Sequence, residues 1–91
     1  MPYIYILKSI KNNRYYIGST NDIERRIKEH NDGKSNYTKL TKPFELVLKQ
    51  EFETLNEARM MELHLKKLKS RIIIEKIILD QIIKTKVRAV R

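Results

Sequence analysis

Two short runs near the N-terminus set the first pattern. Residues 3–10 and 14–19 are rich in Tyr and Ile and are separated by Asn12-Asn13. Aromatic and β-branched residues favour strands, and Asn tolerates a positive φ, so the segment predicts a tight β-hairpin. With two residues in the turn, position i pairs with 25 − i, which sets Ser9 opposite Tyr16 and Tyr5 opposite Thr20. Side chains alternate along a strand, and cross-strand partners share a face. Tyr3, Tyr5, Tyr16 and Gly18 therefore fall on one side. Ile4, Ile6, Ile10, Tyr15 and Ile17 fall on the other, the expected core face.

From residue 21 the period becomes helical. Ile23, Arg26, Ile27 and His30 lie at i, i+3, i+4 and i+7, while Glu24, Arg25, Lys28 and Glu29 point outward. Asn21 is the expected N-cap of a helix over 21–31, and Gly33 lies just past its end. Asp32 to Lys42 reads as a polar, basic loop. Phe44, Leu46, Leu48 and Phe52 then alternate with mostly polar residues, as a half-buried strand does. Thr54 with Glu57 forms a capping box, opening a helix that runs to about Lys69 or Arg71. Its buried stripe is Leu55, Ala58, Met61, Leu65 and Leu68. The Ile-rich residues 72–83 fit a further helix or a strand. The order ββαβα(α) predicts an α/β fold of the α+β kind, a small three-stranded antiparallel sheet flanked by helices.

Ninety-one residues allow one core, and 41% hydrophobic with 34% charged residues suits a globular chain. No cysteine is present, which excludes disulfides and thiolate metal sites. No apolar run approaches the roughly 20 residues of a membrane span, and no signal-peptide layout opens the chain. A cytoplasmic location is the default expectation. The formal charge of +9 favours a polyanionic partner, since neutralising phosphates releases counterions. Residues 1–53 contribute +3 and residues 54–91 contribute +6.

Charge alone names no chemistry, but the helical faces do. An inward Arg26 needs an anion, because a buried guanidinium without one is costly. A local carboxylate would satisfy it as well as a ligand would, and a lone inward His30 is more often structural. Glu62 falls within the inward arc of the second helix, where Arg59 or Lys66 could pair with it. Capping explains Glu57 fully. Gly18 beside the tyrosines leaves room for something to approach the backbone. Tyr3 and Tyr15 read as structural aromatics. The inward Arg, His and Glu with two tyrosines form a coherent set, and one carboxylate can hold a Mg²⁺ that keeps most of its waters.

These residues resemble the GIY-YIG nuclease family. Tyr3-Ile4-Tyr5 stands at the first motif, with Tyr3 in place of its glycine, and Tyr16-Ile17-Gly18 matches the second in full. Glu24-Arg25-Arg26, His30-Asn31-Asp32-Gly33-Lys34, Tyr37-Thr38, Pro43 and Glu45-Leu46-Val47 are similar to its small standalone bacterial members. Glu57-Ala58 with Glu62 and Lys66-Lys67 looks like the family's glutamate helix. Two departures stand out. No asparagine follows that helix between Lys67 and Arg91, and the tail after Arg71 lies outside the shared pattern.

The Ile-rich, basic tail 72–91 is expected to pack on the core or form a homodimer contact, while the resemblance implies a nuclease-like domain over 1–71. It implies hydrolysis of DNA phosphodiesters with Mg²⁺ or Mn²⁺, and a place in DNA repair. Tyr5 would take a proton from the attacking water, and Tyr16 would orient that water or assist. Arg26 would brace the phosphate, and Glu62 would anchor the metal. His30 would serve as hydrogen-bond donor or auxiliary acid. Lys34, Tyr37, Lys39, Lys42, Lys66, Lys67 and Lys69 would hold the flanking backbone. Branched and single-stranded DNA are both open as substrates, as is RNA. The rival readings are a nucleic-acid-binding module of the same fold that does not cleave, and a basic scaffold whose tail docks a protein.

Overall fold

The structure, a computed structural model, describes residues 1–32 and 43–84. Gly33, Lys34, Tyr37, Lys39 and Lys42 of the expected basic loop lie outside the described residues. In chain order the elements are β1 (Tyr3–Ser9), β2 (Tyr15–Thr20), α1 (Ile23–Asn31), β3 (Phe44–Glu51), α2 (Leu55–Leu68) and α3 (Arg71–Asp80). The strands form one antiparallel sheet in the order β2-β1-β3. This is the expected α+β architecture, and the Ile-rich segment after Arg71 is a helix.

The hairpin forms with a longer turn than Asn12-Asn13 suggests. Tyr3 pairs with Thr20, Tyr5 with Gly18 and Lys8 with Tyr15, a shift of two from the expected register. The Ser9 amide donates to the Arg14 carbonyl at 2.9 Å, and the Asn13 amide donates back to Ser9 at 2.9 Å. Only Asn13 carries the positive φ, 62°. The Ser9 hydroxyl accepts from the Lys11 and Asn12 amides, which stabilises the four-residue loop. Because the side-chain period is two, a shift of two leaves each face intact. The face grouping therefore stands, except that Ile10 sits in the turn and is exposed.

Neither face of the sheet is left to solvent. Ile4 and Ile6 pack on Ala58, Met61 and Leu65 of α2 and on Ile74 and Ile77 of α3. Tyr15 and Ile17 of β2 border this larger core. On the opposite face Tyr5, Leu7 and Phe44 make a smaller core with Tyr16, Leu46, Ile23 and Ile27, roofed by α1. So the tyrosine face, expected to be the less apolar one, is covered too. As the central strand, β1 contributes fully buried side chains to both cores.

A bulge reassigns β3. Ile6 pairs with Leu48 and Leu7 with Leu46, so Val47 has no partner across the ladder. Phe44 and Leu46 consequently join the smaller core, while Val47 and Leu48 join the larger. The single stripe expected from alternation is split between two faces.

Caps account for the helix ends. Asp22, rather than Asn21, caps α1 by accepting from the Arg25 amide at 3.1 Å. Thr54 caps α2 as expected, its hydroxyl oxygen 3.1 Å from the Glu57 amide. The Glu57 carboxylate accepts from the same hydroxyl at 3.2 Å instead of closing the box on the backbone. Lys69 ends α2 in the left-handed region at φ 48°, and Ser70 caps α3 through the Ile73 amide. Leu68, the last residue of the expected stripe, is partly exposed instead. Among the described residues no helix is long and apolar enough to cross a membrane.

Candidate active site

Tyr5 supplies the centre of the site. Its side chain is 3% exposed, and its ring lies over Gly18, where a Cβ would collide with the phenol. A glycine on the edge strand thus lets the Tyr5 hydroxyl reach the sheet's rim. There the oxygen lies 3.1 Å from His30 Nε2 and accepts from Arg26 Nε at 3.2 Å. Both partners come from α1, one turn apart on its inward face. His30 is itself 5% exposed and meets Phe44 edge to face, as Tyr16 does. Arg26 also donates through Nη1 to Glu29 at 3.2 Å. The local-carboxylate alternative therefore holds together with the contact to Tyr5.

The electrostatics follow from this burial. Desolvation raises the Tyr5 phenol above its usual 10.0, and Arg26 opposes that only in part. Desolvation, then the Arg26 charge, holds His30 below 6.5, so its ring is neutral at pH 7. Arg26 can only donate, so it occupies a lone pair of the Tyr5 oxygen. A neutral His30 that carries its proton on Nδ1 can accept the phenol proton at Nε2, and the opposite tautomer would donate to the phenol oxygen.

Glu62 approaches from the other side of β2. Its carboxylate accepts from the Ser19 hydroxyl at 2.6 Å and from Lys66 Nζ at 2.6 Å, and its side chain is 17% exposed. β2 is an edge strand, so Tyr16 and Gly18 face α1 while Tyr15, Ile17 and Ser19 face α2. A cleft of about 490 Å³ wraps around this edge and collects both groups. Tyr5, Tyr16, Arg26, His30, Glu62 and Lys66 all line it. Lys69 instead lines a smaller neighbouring cleft, and Lys67 is exposed on α2.

Three residues of the site escape a reading by motif. Ser19 fixes Glu62, Glu29 holds Arg26 and Arg25, and Tyr15 lines the cleft. Strand parity carried a signal for Ser19, since it lies on the face that α2 must cover. Glu29 carried none, because its i, i+3 spacing to Arg26 is that of any solvated helix pair.

The chain matches the model of the GIY-YIG catalytic domain over residues 1–77. The chain belongs to the GIY-YIG family. Within it, this GIY-YIG chain is 45% identical over 67 residues to the UPF0213 protein YazA of Bacillus subtilis, covering 72% of this chain and 67% of that protein. It is also 45% identical over 69 residues to the UPF0213 protein CPE1444 of Clostridium perfringens, covering 75% and 73%. The solution structure of the UPF0213 protein BH0048 from Bacillus halodurans superposes with a TM-score of 0.56 at 38% identity, over 89% of this chain and 86% of that one. The resemblance to the small bacterial members thus holds, and the domain is that of a nuclease family.

A metal would find one carboxylate in the GIY-YIG cleft. Among the described residues no group of three or more His, Cys, Asp or Glu gathers to form a dedicated cage. Among the described residues each Glu62 oxygen has a single donor and keeps a lone pair. That fits a hard cation held by one carboxylate, water and substrate oxygens.

Proposed function

We propose that this GIY-YIG protein is a divalent-metal-dependent nuclease that hydrolyses DNA phosphodiester bonds. One observation carries the reading: a buried Tyr–His pair with a half-buried arginine, and a half-buried glutamate, from opposite faces of the sheet, open into one cleft. Binding alone would need neither the burial nor the convergence.

The residues divide the work as follows. The Arg26 guanidinium, held by Glu29 and Tyr5, presents its remaining N–H donors to the phosphate. Tyr5 takes a proton from water as the water oxygen bonds to phosphorus and the bond to the leaving oxygen breaks. The phenol passes its own proton to His30 Nε2, so a phenolate, disfavoured by burial, need not accumulate. Tyr16 orients the water or assists. Glu62, fixed by Ser19, would hold Mg²⁺ or Mn²⁺, which when bound offsets charge on the leaving oxygen. We assign the nuclease unit to residues 1–71 and the remainder to an extension, with a cytoplasmic setting and DNA repair as the matching context.

The test incubates labelled duplex, branched and single-stranded DNA with the protein, with and without Mg²⁺ or Mn²⁺. Tyr5→Phe and Glu62→Ala are run alongside. Cleavage that needs metal and fails in both variants is the expected result. Binding without cleavage in any metal would establish the binding-module reading instead.

A further inference from the structure

A second cleft adjoins the first. It encloses about 290 Å³ at the junction of β2 with the α2–α3 turn, and the two clefts share Tyr15, Ile17 and Lys66 as a common wall. Its rim is basic, formed by Arg14, Lys66, Lys69 and Arg71. Carboxylates answer two of these charges: Lys66 pairs with Glu62, and Arg71 with Glu75 at 3.5 Å. Among the described residues no ion pair involves Arg14 or Lys69, so two cations are left over. The cleft also adjoins the first turn of α3, which carries no acidic residue.

We infer that this junction is an anion subsite that holds the phosphate backbone of a nucleic-acid strand as it leaves the Tyr5–Glu62 cleft. The inference rests on the nucleic-acid reading of that cleft and adds a path. A strand passing over the shared wall of Tyr15, Ile17 and Lys66 moves from Arg26 and Lys66 of the first cleft to Lys69 and Arg14 of the second. The ring of Tyr15 indicates what part of the strand is held. The Arg71 guanidinium lies 4.6 Å from its centroid, and Lys8 approaches to 5.8 Å. The Tyr15 hydroxyl lies 3.4 Å from a Glu75 oxygen, and Arg71 Nη1 donates to the Asn13 carbonyl at 3.1 Å. An aromatic face already stacked by a cation is poorly placed to receive a base. The subsite therefore offers charge, and it grips sugar-phosphate without regard to sequence.

Position 69 makes a clean test possible. Lys69 occupies a left-handed helix terminus, where glycine is the favoured residue, so Lys69→Gly removes charge while relaxing the backbone. The double variant Arg14→Gln/Lys69→Gly is compared with a charge-matched control, Lys28→Gln/Lys76→Gln, whose lysines lie on exposed faces of α1 and α3. Arg71 is left in place because it also anchors the hairpin turn. Thermal melts verify that each variant folds. Binding of a fluorescent single strand is measured by anisotropy in EDTA over a range of salt, with cleavage in Mg²⁺ followed separately.

The groove variant is expected to bind about tenfold more weakly than the control. Its dependence of log K on log salt should also be shallower by about 1–2, since each single-strand phosphate contact contributes roughly 0.7. A groove variant that matches the control in affinity and slope overturns the inference, as does a wild-type protein that binds no strand. A wild-type protein that binds but never cuts sinks the nuclease reading, while the slopes still decide the subsite.

Discussion

Tyr5 and Gly18 are partners across the β1–β2 ladder, and the phenol of one occupies the volume that a side chain on the other would need. The buried ring has little freedom to retreat, with Leu7 and Phe44 packed beside it. Gly18→Ala should therefore displace the hydroxyl from His30 and Arg26. Overpacking of this kind destabilises by about 1–3 kcal/mol, which urea unfolding would register. Cleavage should fall by on the order of 100-fold, because a misplacement near 1 Å is enough for that loss. Full activity in a folded Gly18→Ala protein would show that Tyr5 does no chemistry.

Tyr5→Phe keeps the ring and removes only the oxygen between His30 and Arg26. The expected loss in cleavage rate is about 10²–10⁴-fold, the span of general acid–base contributions, with DNA binding in EDTA unchanged. Single-turnover cleavage beside anisotropy separates the two. A fall in binding that accounts for the whole loss would reassign Tyr5 to substrate holding.

His30 makes acid stability depend on the interior of the smaller core. Its pKa in the folded chain lies below 6.5, so below about pH 6.5 the unfolded chain takes up a proton that the folded chain resists. Stability is therefore full above that pH and declines as pH falls, until His30 itself protonates. Glu29, whose carboxyl is lowered from 4.5 by Arg26, acts in the same direction but only in more acidic solution. Melting temperatures of wild type and His30→Gln between pH 8 and 5 are the check. The wild-type curve should fall more steeply below pH 6.5, and parallel curves would contradict the assignment.

Glu62→Gln keeps the shape and the Ser19 contact but removes the charge that faces Lys66. Cleavage should be lost, or require far higher metal concentrations. Binding of DNA in EDTA should hold or strengthen, because Lys66 is released towards phosphate. A metal titration unchanged from wild type would place the ion elsewhere.

The larger core gives a contrast within a single helix. Ile77 is buried in the larger core, while Ile72 and Leu79 of the same α3 stand 80% and 83% exposed. Ile77→Ala should cost about 2–5 kcal/mol, and Ile72→Ala or Leu79→Ala no more than about 0.5. Denaturant midpoints decide. Equal effects at all three positions would mean that α3 does not dock as described.

Local chemistry made much of this legible. The Thr54 cap, the two hairpin strands and the inward stripe of α1 are each written within a few residues. The turn misled because Asn12-Asn13 resembles a two-residue loop, whereas the Ser9 hydroxyl stabilises a longer one. Parity rescued the faces. Nothing in the composition of β3 announced the bulge at Val47, since a bulge is decided by which core each half must fill. Helical spacing foretold the local partners, Lys66 for Glu62 and a carboxylate for Arg26, but not the long-range ones. Ser19 is 43 residues from Glu62, and Tyr5 is 21 from Arg26, so only the folded sheet sets those pairs.

Splitting the site across two cores makes the cleft a coincidence detector for folding. The corner with Tyr5, Arg26 and His30 stands on the smaller core, and the corner with Glu62 and Ser19 on the larger. All three strands send side chains into both, and β1 lies at their centre. The smaller core rests on α1, a helix of nine residues, and regions with few buried contacts open at the least cost in free energy. Comparing heat inactivation with global melting would reveal such an opening as activity lost first. A chain with α1 detached would keep its glutamate and its basic cleft, and on the proposed reading is expected to hold a strand without cutting it.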